Sequence, residues 1–220
     1  MLPTKILEIP LLGVVNVHPS LLPLYRGPSP VAAAILDGQS QTGVSLMLLD
    51  EGMDTGPILA QSVPIDLSGR ERRSELQALL FKEAESLLSV TLTELQRGTV
   101  TPVVQDNAAA SFTQLLRRSD GEIEWTASAV HIERMVRAYD IWPSTFTTWN
   151  GKSVKILYSK LMDGTETKPG QVTLRSGHLS VSTGAGLLEI IQLQLEGRQA
   201  AFAADFVRGH PQIDGSILGD

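Results

Sequence analysis

Gly13-Val14-Val15-Asn16-Val17-His18-Pro19 reads as a short valine-rich strand that runs straight into a proline turn. Side chains alternate along a strand, so Asn16 and His18 share one face. They also lie where the strand ends and a loop begins. In open α/β sheets, ligands bind beyond the carboxyl ends of strands. An amide donor beside an imidazole suits stabilisation of a developing oxyanion, and the imidazole can also carry a proton near neutral pH. A structural Asn–His pair bonded to loop backbone explains the same two residues. Taken alone, they favour that plainer reading.

Outward from this strand, Pro28 and Pro30 precede Val31 to Leu36, an alanine-rich helix ended by Asp37-Gly38. Val44 to Leu49 is a continuous apolar strand of the kind buried on both faces. The tight turn Gly52-Met53-Asp54-Thr55-Gly56-Pro57 leads to a second strand, Ile58 to Ile65. Asp54 in that turn can orient His18, favour its protonated form or hold a water, or simply bond its own turn backbone. Ser68 and Glu71 have capping-box spacing. Behind them Leu76, Leu80, Ala84, Leu87, Leu88 and Leu95 recur at helical spacing up to Gly98. Residues 100–112 carry no clear period and read as a linker.

The second half has a different texture. A helix over about residues 126–139 carries Ile132, Met135, Val136 and Tyr139 on one face. Asn150-Gly151 marks a hairpin between Phe146–Trp149 and Val154–Tyr158. Strands at Gln171–Leu174, Leu179–Ser182 and Leu187–Leu193 are separated by Pro169-Gly170, Ser176-Gly177 and Gly184-Ala185-Gly186. Closely spaced short strands suggest a small barrel. The expected domains are residues 1–106, of α/β class, and residues 107–220.

Composition narrows the chemistry. The 220 residues contain no cysteine, which excludes disulfides, zinc–thiolate sites, iron–sulfur clusters and cysteine nucleophiles. No apolar run approaches the ~20 residues that span a bilayer, so no membrane partner is expected. The net charge of −6 argues against broad capture of nucleic acid. His131, His178 and His210 have no metal-ligand spacing, so no metal is predicted. There is no GxGxxG, P-loop or GxSxG.

Read together, the motifs are far more specific than singly. Asn16-Val17-His18-Pro19-Ser20-Leu21-Leu22-Pro23, Tyr25-Arg26-Gly27, Thr42-Gly43-Val44 and Gly52-Met53-Asp54-Thr55-Gly56-Pro57-Ile58-Leu59 resemble the folate-dependent formyltransferases. The resemblance implies that Asn16, His18 and Asp54 are catalytic. It also implies that Ser20, Leu21, Leu22 and Pro23 form the tetrahydrofolate-binding segment. In the second half, Gly121-Glu122-Ile123-Glu124-Trp125, Arg137 to Pro143, Thr147 to Lys152 and Ala203 to Gly209 resemble the C-terminal domain of methionyl-tRNA formyltransferases. That domain is an OB-like open β-barrel that helps hold tRNA.

The implied reaction transfers a formyl group from 10-formyltetrahydrofolate to the α-amine of initiator methionyl-tRNA. The implied setting is cytoplasmic, and the expected state is monomeric. The family also has several βα units ahead of the NVH strand. The chain is therefore expected to begin inside a partial Rossmann-like half, exposing a sheet edge and an apolar face there. Residues 101–220 hold 11 Lys and Arg against 13 Asp and Glu. A polyanion would thus need a local cluster, such as Lys152, Lys155 and Lys160. Transfer to an amino sugar, hydrolysis of the folate, and an inactive truncated product are the alternatives.

Overall fold

The computed structural model describes residues 3–164, 167–175 and 177–220. The chain divides into two units, Met1–Leu115 and Leu116–Asp220.

The first unit opens with a single helical turn, α1 (Thr4–Leu7), then β1 (Val15–His18) and α2 (Pro30–Asp37). Pro30 starts α2 because its missing N–H would be unpaired there anyway, and Gly38, at φ 64°, ends it in the left-handed region. Next come β2 (Gln41–Thr42), β3 (Ser45–Leu48), β4 (Ile58–Gln61) and β5 (Ile65–Asp66). The expected strand Ile58–Ile65 is therefore split in two. Pro64 has no N–H for a ladder, and β5 turns away to pair with β2.

The main sheet has the order β1-β3-β4, and both of its ladders are antiparallel. The apolar run of β3 reflects its central place in this sheet rather than parallel pairing. Among the described residues, β1 is an edge strand, with a ladder on one side only. The nearby Ile9, Leu11 and Leu12 are exposed.

The long helix α3 (Arg73–Arg97) packs on β3 and β4 through one narrow stripe: Leu76, Leu80, Ala84 and Thr91. Its start differs from expectation. Glu71 does accept bonds from the Ser68 backbone N–H (2.6 Å) and hydroxyl (2.7 Å), but these close a turn ahead of the helix. The helix itself begins after Arg72, whose N–H donates to Glu75 Oε2 at 3.2 Å.

The second unit contains α4 (Ala129–Ala138), β6 (Thr145–Trp149), β7 (Lys152–Met162), β8 (Val172–Arg175), β9 (His178–Ser182), β10 (Leu187–Leu195), β11 (Ala201–Phe202) and α5 (Ala203–Gly209). Ser128 caps α4 by accepting from His131 N–H at 3.2 Å. Asn150 and Gly151 both take positive φ (50° and 71°), as the expected two-residue hairpin requires. The turn expected at Ser176-Gly177 falls partly outside the described residues.

The sheet runs β6-β7-β10-β9-β8, with β11 added to β10. Its core gathers Ile132 and Val136 of α4, Val154, Ile156, Leu188 and Phe206 among others. The barrel expectation is met only in part, since no ladder joins β6 to β8 among the described residues. Among the described residues no helix is long and apolar enough to cross a membrane.

The units meet at Leu115/Leu116, later than the expected boundary of 106/107. The physical cause is the hydrogen bonding of residues 103–113, all of it directed into the first unit. Val103 exchanges 2.8 Å backbone bonds with Ile58.

Candidate active site

The last turn of β1 and the β3–β4 turn converge. Asn16 leaves the strand beside Asp54, with Nδ2 donating to Asp54 Oδ1 at a long 3.4 Å. His18, two residues on, is buried at 4 % exposure. Its Nδ1 lies 3.6 Å from Asp54 Oδ2. Gly27 N–H donates to the same Oδ2 at 2.7 Å. The three residues expected to be catalytic are therefore one cluster, and they line one open cavity of about 740 Å³.

The backbone explains why this turn can hold a carboxylate so closely. Asp54 sits at φ 54°, a left-handed conformation that Asp tolerates better than most residues. A Cβ on Gly56 would come within 1.9 Å of Leu48 O, so the turn folds flat against β3 only with glycine there. At Gly27, φ is 105° and a Cβ would meet Thr113 O at 2.7 Å.

His18 Nε2 faces Tyr25 O at 2.9 Å. A carbonyl oxygen only accepts, so the proton of the neutral ring sits on Nε2. That leaves Nδ1 as the basic edge, facing Asp54. Burial pushes the His18 pKa below its usual 6.5. The Asp54 charge and the Tyr25 carbonyl pull it back without overcoming burial. Neutral imidazole is thus the favoured form near neutral pH.

The cavity continues past the cluster. Leu49 and Met53 line it, and α3 supplies Arg73, Gln77 and Phe81, four residues apart on one face. Phe81 is half exposed. These three were missed by the sequence reading. Their four-residue spacing was visible, but it runs beside the stripe that suggested the core.

Ser20, Leu21, Leu22 and Pro23 do not line this cavity. Ser20 Oγ donates to Leu24 O at 2.6 Å, and Ser45 Oγ donates to Ser20 O at 2.7 Å. Gln61 Nε2 donates to Leu22 O at 2.9 Å, and the Leu22–Pro23 peptide is cis. Ser20 and Leu22 are buried, so the outer surface of this segment belongs to Leu21, Pro23 and main chain. Arg26, which follows this segment, is buried as well, at 2 % exposure.

In the second unit, the three lysines considered as a cluster are divided. Lys160 Nζ is held by Glu189 Oε2 at 3.1 Å. Lys155 lines a small recess with Arg118, Gln194 and Glu196, and Lys152 is not part of that lining. Among the described residues no group of three or more His, Asp or Glu side chains is gathered as metal ligands.

The family pattern described as "Formyl transferase" matches residues 1–91, and "Formyl transferase, C-terminal domain" matches residues 115–211. The methionyl-tRNA formyltransferase of Roseiflexus sp. (strain RS-1) is 48% identical over 217 residues, 98% of this chain and 66% of the relative. The chain belongs to the methionyl-tRNA formyltransferase family. That is a family of one-carbon transferases. The chain spans about two thirds of the length of the curated relatives it matches, which are 41–48% identical to it.

Two solved structures share the fold. Methionyl-tRNA formyltransferase from Clostridium thermocellum has a TM-score of 0.58 at 23% identity, covering 75% of this chain and 70% of its own. HypX from Aquifex aeolicus, solved in complex with tetrahydrofolic acid, has a TM-score of 0.67 at 20% identity. It covers 88% of this chain and 34% of its own.

Proposed function

We propose that this chain catalyses formyl transfer from 10-formyltetrahydrofolate to the α-amine of initiator methionyl-tRNA. The observation that carries the reading is the meeting of Asn16, His18 and Asp54 on one wall of an open cavity. The amine nitrogen attacks the formyl carbon, and the carbonyl oxygen becomes an oxyanion. Asn16 Nδ2 donates to that oxygen, its present bond to Asp54 being long. His18 Nδ1 takes the proton lost by the amine, and the Asp54 carboxylate stabilises the imidazolium as it forms. Collapse of the intermediate breaks the bond to the folate nitrogen, which leaves with that proton. No covalent enzyme intermediate is needed.

The folate is assigned to the Ser20–Pro23 loop. Ser20 and Leu22 are buried, so contact falls to Leu21, Pro23 and backbone. The acceptor is assigned to the side walled by Met53, Gln77 and Phe81, with Arg73 as its cation.

The domain division is read as a catalytic part followed by a tRNA-holding OB-like barrel, with the expected boundary of 106/107 moved to Leu115/Leu116. The barrel reading is supported by the C-terminal tail. Val172 N–H donates to Ser216 O (2.9 Å), Leu218 N–H to Gly170 O (2.9 Å) and Gly219 N–H to Thr148 O (3.0 Å). The tail therefore bonds to β6 and to the start of β8, across the gap in the sheet. The same reading puts the reaction in the cytoplasm and needs one copy of the chain.

The test is formyl transfer by the purified 220-residue chain, with charged initiator tRNA and 10-formyltetrahydrofolate. Transfer is expected, and His18→Ala is expected to abolish it. If His18 acts as a neutral base, kcat/KM falls as pH drops through its lowered pKa, so the acid limb lies below pH 6.5. A rate that instead falls as pH rises through that value assigns the work to imidazolium. A folded chain that neither transfers nor binds the folate overturns the proposal.

A further inference from the structure

Residues 103–113 carry no hydrophobic period, yet their polar groups reach both loops of the cluster. Ser111 Oγ accepts from Tyr25 N–H at 2.8 Å, and Ser111 O accepts from Arg26 N–H at 2.9 Å. Thr113 N–H donates to Arg26 O at 2.7 Å, and Thr113 Oγ1 accepts from Ser29 N–H at 3.0 Å.

Gln105 lies at the centre of this strap and is 6 % exposed. Its Oε1 accepts from Arg26 Nε at 3.0 Å. Its Nε2 donates to two carbonyls of the catalytic turn, Asp54 O at 2.9 Å and Gly56 O at 2.7 Å.

The direction of this chain of bonds is fixed by chemistry. The Arg26 guanidinium has donors only, so the amide oxygen of Gln105 faces it and the NH₂ faces the turn. Arg26 is itself locked: Nη2 donates to Asn107 Oδ1 at 2.9 Å, and the guanidinium lies 5.9 Å from the Phe112 ring centre. Asp54 needs such a hold. Its left-handed backbone is an unfavourable conformation that persists only where neighbours over-determine it.

We propose that Gln105 is a positioning residue for the transfer reaction. Oriented by Arg26, it pins the main chain at Asp54 and Gly56 and so keeps the Asp54 carboxylate on Gly27 N–H and beside His18. The inference rests on the reading of His18 and Asp54 as a working pair.

The test reads His18 directly, by NMR titration of the 220-residue chain labelled at histidine, with His18→Gln assigning the signal. Charged groups lining the cavity besides His18 are Asp54, Asp50 and Arg73, and Asp54 is the one in ion-pair range of the ring. Gln105→Met removes both sets of bonds. Gln105→Glu keeps an acceptor for Arg26 but loses the donor to the turn.

Both variants are expected to lower the His18 midpoint, in the direction of Asp54→Asn, because a displaced carboxylate supports the imidazolium less. Gln105→Met is expected to add nothing further in an Asp54→Asn background. In the transfer assay, kcat falls about 10-fold or more with KM for the folate nearly unchanged.

An unchanged His18 midpoint in either folded variant overturns the proposal. So does an additive shift in the double variant, or the failure of both single variants to fold, which would make Gln105 purely structural. If the parent chain transfers no formyl group yet its His18 midpoint depends on Gln105, the functional reading falls and the geometric link stands. If the parent transfers and the midpoint is indifferent to Gln105, the reverse holds.

Discussion

Both units bury apolar side chains, and they differ in what their buried polar groups hold. The second builds one contiguous apolar cluster from α4, α5 and the long strands of its sheet. The first buries His18, Ser20, Arg26, Ser29, Ser45, Gln105 and Thr113, and uses them to fix loops. Apolar burial is non-directional and stabilises by area. Buried polar groups stabilise little on balance but specify geometry, and they are costly when unpaired. On the proposed reading, the first unit carries the chemistry and the second chiefly supplies stability. That comparison can be broken by mutation.

The largest effect on folding should come from the second unit. Leu188 is fully buried near the start of β10, and Leu188→Ala should cost about 2–5 kcal/mol of stability. Chemical denaturation would measure it. The kcat per folded molecule should hardly change. A large fall in kcat at small cost in stability would show that the second unit shapes the chemistry, and the comparison would fail.

Asn16→Ala should do the opposite. Loss of one oxyanion donor typically lowers the rate by ~10²–10³, about 2.7–4 kcal/mol at the transition state. Asn16 is only half buried and its bond to Asp54 is long, so little stability is at stake. Single-turnover rates beside a denaturation curve would separate the two. A rate loss below threefold would remove Asn16 from the mechanism.

What the sequence made legible follows the same division. Local rules found β1 and its alternating Asn16 and His18, the glycine that ends α2, and the Asn150-Gly151 hairpin, because each depends on neighbours in the chain. The strap was illegible for the opposite reason. Gln105 is placed by Arg26, 79 residues away. A stretch held in place mainly by long-range bonds looks like a linker. The same blindness left the wall of α3 unread. The Ser20–Pro23 segment was recognised by its pattern, but the burial of Ser20 and Leu22 emerged only from bonds to β3 and β4. The start of α3 was misread because Ser68 and Glu71 do make the cap-like bonds, one turn too early.

The smallest effect sharpens the comparison, because it tests a buried charge inside the apolar unit. Glu189 is 5 % exposed and accepts from His178 Nδ1 at 2.7 Å, while Lys160 Nζ lies 3.1 Å away. Burial alone would raise its pKa, but the bonds and charges of His178 and Lys160 outweigh burial and hold it below the usual 4.5. A carboxyl with a lowered folded pKa stabilises above its unfolded value and loses that contribution as pH falls through the folded one. Denaturation at neutral pH should find Glu189→Gln weaker by about 1–2 kcal/mol, since both partners are half exposed and screened by solvent. The difference between parent and variant should shrink as pH drops below 4.5. A difference that persists in acid would mean that Glu189 acts through its shape in the sheet rather than its charge.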